Sequence, residues 1–207
     1  MGQTNFDISM SLDGYITAAG QTAEAPLGEG GERLHEWAFG GDERDRTVLE
    51  EGVAGTGAVI TGRRNYEHSM PWWGAGGPTG EARLPVIVVS HSVPSDAPEG
   101  GVYEFVSDGI EAALDRAREA AGAKDVTVMG GANTGQQYLR AGLIDRVSIH
   151  LARSSSVGAR GCSRTSVAIN RGSNAPAPSR PTRRPTSGTA WCASERGLAP
   201  DLARAPT

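Results

Sequence analysis

Three short groups of residues in this chain have the chemistry to hold a phosphorylated ligand. Gly130-Gly131 lies between an apolar segment and a helix-forming one, and continues into Ala132-Asn133-Thr134. Glycines there let a backbone approach a ligand closely, and the free N–H groups of a helix start suit a phosphate or pyrophosphate. Gly62-Arg63-Arg64 follows another apolar segment, and an Arg pair in an otherwise acidic region is a candidate phosphate clamp. Ser90-His91 closes a third such segment and would suit the adenosine side of a nucleotide. Each group also has a plainer reading, as a tight turn, a solvated Arg pair and a surface His. All three come directly after predicted strands, and ligands of open α/β sheets bind at the carboxyl ends of strands. Three groups on one rim carry more weight than any one of them.

Other chemistries find little support. His35, His68, His91 and His150 show no metal-ligand spacing. His150 falls in a predicted strand, where a structural role is expected. There is no Gly-x-Ser-x-Gly elbow, and no cysteine precedes residue 153 to act as a nucleophile. Neither Gly-x-Gly-x-x-Gly nor Gly-x-x-x-x-Gly-Lys-Ser/Thr occurs, which disfavours an ordinary Rossmann or P-loop assignment. Trp72-Trp73 could close over a bound ring or simply anchor a loop.

The elements that would position these groups alternate. Residues 6–12 alternate apolar and polar as a half-buried strand does, and Asp13-Gly14 turns the chain. Residues 18–31, rich in Gly, Ala and Glu, read as a mobile loop. A helix is expected from Asp42 to Glu51, with acids in its first turn. Strands are expected at 57–61, 84–90, 102–106, 125–129 and 146–152. The continuous run at 84–90 fits a strand covered on both faces. Residues 71–80, with Pro71, Trp72-Trp73 and four glycines, read as a loop. Ile110, Ala113, Leu114 and Ala117 at helical spacing predict a helix over 108–121, capped by Asp108 and ended by Gly122. A last helix runs from the Gly130-Gly131 turn to about Ala141. Strands alternating with helices imply a mainly parallel sheet flanked by helices.

Composition divides the chain at Ala152–Arg153. Residues 1–152 hold eleven basic and 22 acidic residues, a net charge of −11, whereas residues 153–207 hold nine Arg against Glu195 and Asp201, a net charge of +7. Both cysteines, Cys162 and Cys192, and six of the twelve prolines lie in the latter. Six large apolar residues in those 55 positions cannot offset chain entropy, so disorder is expected there. Residues 1–152 suffice for one domain with a core. No leader of basic and then apolar character opens the chain, and no stretch approaches the ~20 apolar residues of a membrane span. The expectation is a soluble cytoplasmic protein whose acidic domain does not bind nucleic acid.

Taken together, several segments resemble a known family. They are Ser11-Leu12-Asp13-Gly14-Tyr15-Ile16, Gly62-Arg63-Arg64-Asn65-Tyr66-Glu67, Pro85-Val86-Ile87-Val88-Val89-Ser90-His91 and Val128-Met129-Gly130-Gly131-Ala132, with the stretches 107–113 and 136–145. In this order they are similar to the bacterial dihydrofolate reductase-like proteins related to the reductase domain of the riboflavin-biosynthesis bifunctional deaminase-reductase. The resemblance covers residues 5–152. It implies a dihydrofolate reductase-like α/β fold, NADPH as cofactor, a small heterocyclic substrate and a homodimer.

By position in that family, Gly62, Arg63 and Arg64 would meet the 2′-phosphate side and Ser90 and His91 the adenosine. Gly130, Gly131, Ala132, Asn133 and Thr134 would hold the pyrophosphate. Residues 11–16 would border the nicotinamide and substrate. An Arg beside the ribose phosphate favours NADPH over NADH. A proton must also be delivered; Asp45, in the helix comparable to the one that carries the carboxylate of dihydrofolate reductases, and Asp13, bordering the site, are the candidates. The implied activity is hydride transfer to a pterin-like or other small heterocycle. The alternative is a nucleotide-binding protein of the same fold without catalysis. A separate task on nucleic acid for the basic tail is a third possibility.

The family continues past the last aligned strand with Pro-Val-Leu-Leu-Gly-x-Gly and a closing strand, which this chain lacks. Serine codons of the TCN type read one base out of register become NTC, which encodes Phe, Leu, Ile or Val. With suitable codons for 153–161, one restored base converts the segment into Pro-Val-Leu-Leu-Gly-Arg-Gly-Ala-Gly. A one-base shift near codon 153 therefore accounts for the missing closing strands; an Arg/Ser/Pro-rich natural tail is the alternative. Sequencing the source DNA across codons 150–162 is expected to reveal the shift, and an intact frame there removes the idea.

Overall fold

The computed structural model describes residues 2–22, 24–40 and 42–152. The expected tail, the proposed frame change and the missing closing strands all lie outside them. Six strands form one sheet in the order β4-β3-β2-β5-β1-β6. These are β1 (Thr4–Ser11), β2 (Thr56–Gly62), β3 (Val86–Val89), β4 (Tyr103–Val106), β5 (Asp125–Met129) and β6 (Arg146–Ala152). Every pairing is parallel. The helices are α1 (Glu36–Gly40), preceded by a 3-10 turn Gly31–His35, α2 (Glu43–Gly55), α3 (Arg63–Trp73), α4 (Ile110–Ala121) and α5 (Ala132–Arg140).

Side-chain alternation gives the sheet two faces. On one, Phe6, Ala58, Ile60, Ile87, Val126 and Val128 meet Ala113, Leu114 and Ala117 of α4 and Tyr138 of α5. The small alanines at 113 and 117 let α4 lie close to the strands, and the Tyr138 hydroxyl donates to the Ile110 carbonyl at 2.8 Å. On the other face, Val59, Val86 and Val88 pack against Tyr66 of α3, with Met129 alongside. The Tyr66 ring meets Tyr103 and Phe105 edge-on at 4.9 and 5.1 Å between centroids, the geometry aromatic quadrupoles favour.

β1 departs from the half-buried expectation. It lies between β5 and β6 with helices over both faces, so Thr4, Asn5, Ser9 and Ser11 are buried polar residues. Three local expectations are also corrected. The helix expected to stop at Glu51 continues to Gly55, where Thr56 Oγ1 donates to the Gly52 carbonyl and extends the closure of the last turn. Residues 71–73 are helical, because Pro71 forfeits a single intrahelical bond and the break falls instead at Gly74, with φ +50°. Asp108 does not cap α4. Gly109, at φ +99°, occupies the cap position and the helix begins one residue later, while Asp108 accepts from Ser107 Oγ. Residues 18–31 are irregular, as their composition predicts, but fold back on themselves through Ala18 N–H to Leu27 O and Glu29 N–H to Ala19 O. The helical character of 31–40 has no counterpart in the sequence expectations.

Gly135 of α5 faces Phe6, and a Cβ there would collide with the ring. Ala is favoured over Gly inside a helix by up to about 1 kcal/mol, whereas overpacking a core costs about 1–3 kcal/mol. Gly135→Ala is therefore expected to lower stability in urea unfolding rather than raise it.

Candidate functional site

The strand order sets β3, β2, β5 and β1 side by side and parallel. Their carboxyl ends deliver residues 90–91, 62–64, 130–134 and 11–13 to one edge of the sheet. Adjacent strands lie ~4.8 Å apart, so the four groups share a rim about 15 Å long. The expected convergence of the three phosphate-binding candidates is a matter of topology.

At the middle of this rim two helices begin next to one another. Neither α3 nor α5 has a side chain capping its first turn. By contrast, α2 is capped by Asp42, whose Oδ1 accepts from the N–H groups of Arg44 at 2.9 Å and Asp45 at 3.1 Å. The two uncapped starts touch because Gly62 and Gly130 lack side chains. A Cβ on Gly62 would collide with Thr134 Oγ1, and one on Gly130 with the Asn65 amide. Gly130 and Gly131 both have positive φ, +71° and +40°, so they are free to turn from β5 into α5 at low cost. The helix dipoles and unpaired N–H groups of two adjacent helix starts favour an anion between them.

The structure separates the roles of the Arg pair. Arg63 is engaged within the protein. Its Nε pairs with Glu67 at 2.7 Å, and its Nη1 donates to Ser90 Oγ at 3.2 Å and to the Ser92 carbonyl at 2.9 Å. Ser90 is buried and also donates to the Ser92 carbonyl at 2.6 Å. Arg63 and Ser90 thus tie the start of α3 to the loop after β3. Arg64 is exposed and makes no hydrogen bond or ion pair among the described residues. His91 is exposed on the same loop. Asn133 accepts from Gln137 within α5.

The two candidate acids stand on different elements. Asp13 sits on the turn after β1 and accepts from Ser11 Oγ at 2.5 Å, while Ser11 Oγ also accepts from the Tyr15 N–H. Asp45 is on the first turn of α2, where its N–H donates to Asp42 Oδ1. Two surface hollows lie along α2, lined by residues such as Thr47, Val48, Leu49 and Val53. They are open and hold none of the rim residues.

A second cluster escapes the sequence expectations. Asn5, Asp7 and Ser9 of β1 share a face with Ser148 and His150 of β6. Ser148 donates to Asn5, and His150 Nε2 lies 3.1 Å from Asp7 Oδ2. Trp37 of α1 stacks on His150 with centroids 3.9 Å apart and planes inclined by 15°, and its Nε1 donates to Ser9 Oγ at 3.0 Å. His150 is indeed held by neighbours, as a strand histidine is expected to be, yet it is paired with a carboxylate at a partly open site. The sequence signal is the polar alternation Asn5, Asp7, Ser9, Ser11, which becomes informative once β1 is known to be interior to the sheet.

Residues 4–163 match the family model described as the RibD C-terminal domain, a match that runs past Ala152. No curated protein matches the chain. Among solved structures, a riboflavin biosynthesis protein of Shewanella sp. PV-4 shares 18% identity at a TM-score of 0.55, over 77% of this chain and 82% of that one. The diaminohydroxyphosphoribosylaminopyrimidine deaminase/5-amino-6-(5-phosphoribosylamino)uracil reductase of Thermotoga maritima shares 16% at 0.53, over 83% and 51%. Acinetobacter baumannii RibD shares 17% at 0.53, over 81% and 51%. The matched region spans about half the length of these last two. The likeness establishes the fold, which is dihydrofolate reductase-like. No helix among the described residues is long and apolar enough to cross a membrane.

His35 makes the polar face sensitive to pH. Its Nδ1 is buried without a partner, and burial, reinforced by the neighbouring His150, holds its pKa below the ordinary 6.5. The unfolded chain then binds more protons than the folded one below pH 6.5, so stability present above that pH is lost as the pH falls towards the folded value. Thermal melts are expected to show a falling midpoint below pH 6.5, and His35→Phe to flatten part of that fall.

Proposed function

Because the chain belongs to the RibD C-terminal domain family, we propose that it is a reductase of pterin- or pyrimidine-type heterocycles that uses NADPH. The observation that carries the cofactor assignment is the pair of uncapped, touching helix starts at α3 and α5, with the unpaired guanidinium of Arg64 beside them. The substrate class rests on the family and on the uracil reductase activity named for the Thermotoga maritima protein.

The residues present fit the cofactor. A pyrophosphate would accept hydrogen bonds from the N–H groups of residues 130–134, at the glycine turn where a Cβ would intrude. Gly62 permits the close packing of β2 against Thr134 that brings the two helix starts together. Arg64 would pair with the 2′-phosphate as a point of discrimination against NADH. Arg63 has a positioning role, holding Ser90 and the loop that carries His91 against the adenosine side. Residues 11–16 would border the nicotinamide. When bound, NADPH supplies the hydride, and the chain's task is to orient the two rings, exclude water and deliver a proton. Asp13, adjacent to the rim, and Asp45, on α2, stand as the carboxylates suggested by sequence.

The test is an NADPH fluorescence titration followed by loss of reduced-nicotinamide absorbance with a panel of pterins and aminouracils. Tight NADPH binding and turnover are expected. Binding without turnover would favour a non-catalytic nucleotide-binding protein instead. A hydrogen bond to a charged group contributes about 1.5–3 kcal/mol, so Arg64→Ala is expected to weaken NADPH about tenfold or more while leaving NADH affinity nearly unchanged. Equal losses for both cofactors would remove Arg64 from the 2′-phosphate.

A further inference from the structure

Asp7 and His150 lie beside the rim rather than on it. Asp7 is paired across the β1–β5 ladder with Met129, the residue immediately before Gly130. His150 is paired with Ser9 on the far side of β1. From the glycine turn at the end of β5, the pair is therefore one to two strands away, roughly 5–10 Å, on the sheet face shared with Met129. That is the reach of a ribose and its ring from a pyrophosphate held at residues 130–134. We propose that Asp7 and His150, with Trp37 stacked over the imidazole, form the proton-delivering part of the substrate site. This inference rests on the reductase reading above.

Three features support it. First, both partners remain reachable, with side-chain exposures of 20% for His150 and 35% for Asp7, so the pair is neither sealed in the core nor spread on the surface. Second, the pair is held in place. Trp37 is fixed by its bond to Ser9, and its indole provides a flat wall against the imidazole. Third, the polar character is costly without a use. The opposite side of the same strand carries Phe6 and Ile8 in the core, whereas polar groups withdrawn from water cost stability unless each finds a hydrogen-bond partner. Among the described residues, the titratable groups facing His150 are Asp7 from β1 and His35 from the 3-10 turn before α1.

In the reaction a C=N bond of the heterocycle gains a hydride at carbon and a proton at nitrogen. The hydride is the cofactor's, which is oxidised as the C=N bond is reduced. The proton leaves the Asp7–His150 pair and is replaced from solvent.

The experiment compares the parent chain with Asp7→Asn and His150→Gln, saturated with NADPH and using pterin as the ring probe. The imidazole C–H resonances of His150 are assigned by their loss in H150Q and followed by NMR across pH. They are expected to move when pterin is added to the NADPH-saturated protein. For whichever heterocycle the parent reduces, kcat of D7N and of H150Q is expected to drop at least tenfold with NADPH affinity unchanged. A His150 signal indifferent to pterin, or D7N with the parent's rate, would overturn the proposal while leaving NADPH binding intact. A parent chain that binds no NADPH would instead sink the reductase reading, and this inference with it.

Discussion

The contact between the start of α3 and the start of α5 is the constraint on which the middle of the rim depends. Adjacent parallel strands bring β2 and β5 within hydrogen-bonding distance, but the helices after them could meet only if something small stood at the junction. Gly62 against Thr134 and Gly130 against Asn65 are those places. The positive φ at both Gly130 and Gly131 aims the chain from β5 into α5 without backbone strain. Two helix starts without side-chain caps then leave several N–H groups facing one opening. In a fold that caps α2 with Asp42, leaving α3 and α5 uncapped is consistent with a ligand completing the hydrogen bonding.

The Arg pair illustrates how equivalent residues in sequence acquire different tasks. Residues 63 and 64 are neighbours on a helix, so they point about 100° apart around its axis. Arg63 pairs with Glu67 within α3 and turns towards the loop after β3, where its two bonds to Ser90 and Ser92 fix the orientation of that loop. Arg64 turns outward and is left with its charge uncompensated by any described neighbour. One guanidinium stabilises the site's shape and the other is available to it. That difference is invisible in the motif Gly62-Arg63-Arg64, because it depends on where the chain returns after β3.

Much of the sheet was legible because its apolar runs are short, separated by glycines, and too strongly β-branched for helices. The run at 84–90 and the segment 125–129 are of this kind. The convergence of residues 62–64, 90–91 and 130–134 came from the single rule that parallel strands present their carboxyl ends together. Less legible were features set by tertiary context. Pro71 reads as a breaker, yet in the last turn of α3 it sacrifices one hydrogen bond and the helix runs on to Gly74. The segment 31–40 has no long apolar period, and Leu34 is its one deeply buried large side chain. It is helical because it covers the polar side of β1 and β6. Asp7 and His150 are 143 residues apart, and nothing local to either points to the other; the register of β6 on β1 makes them partners.

That register ties the compositional break to the site. β6 is the last described element, and its ladder with β1 runs from Arg146 to Ala152. His150 stands two residues before the point where acidic, apolar-patterned sequence gives way to Arg, Ser and Pro. Among the described residues, β6 has β1 as its one strand neighbour, and Leu151 on its other face is exposed. The Gly130-Gly131 turn is interior to the sheet, between strands paired on both sides, whereas the imidazole rides on a strand with one described neighbour. Strain or fraying at the end of β6 would therefore reach Asp7, His150 and the Trp37 stack long before it reached Gly130 or Arg64. The two halves of the site are mechanically unequal, and the half that would choose and protonate the substrate is the one anchored by the fewest strand pairings.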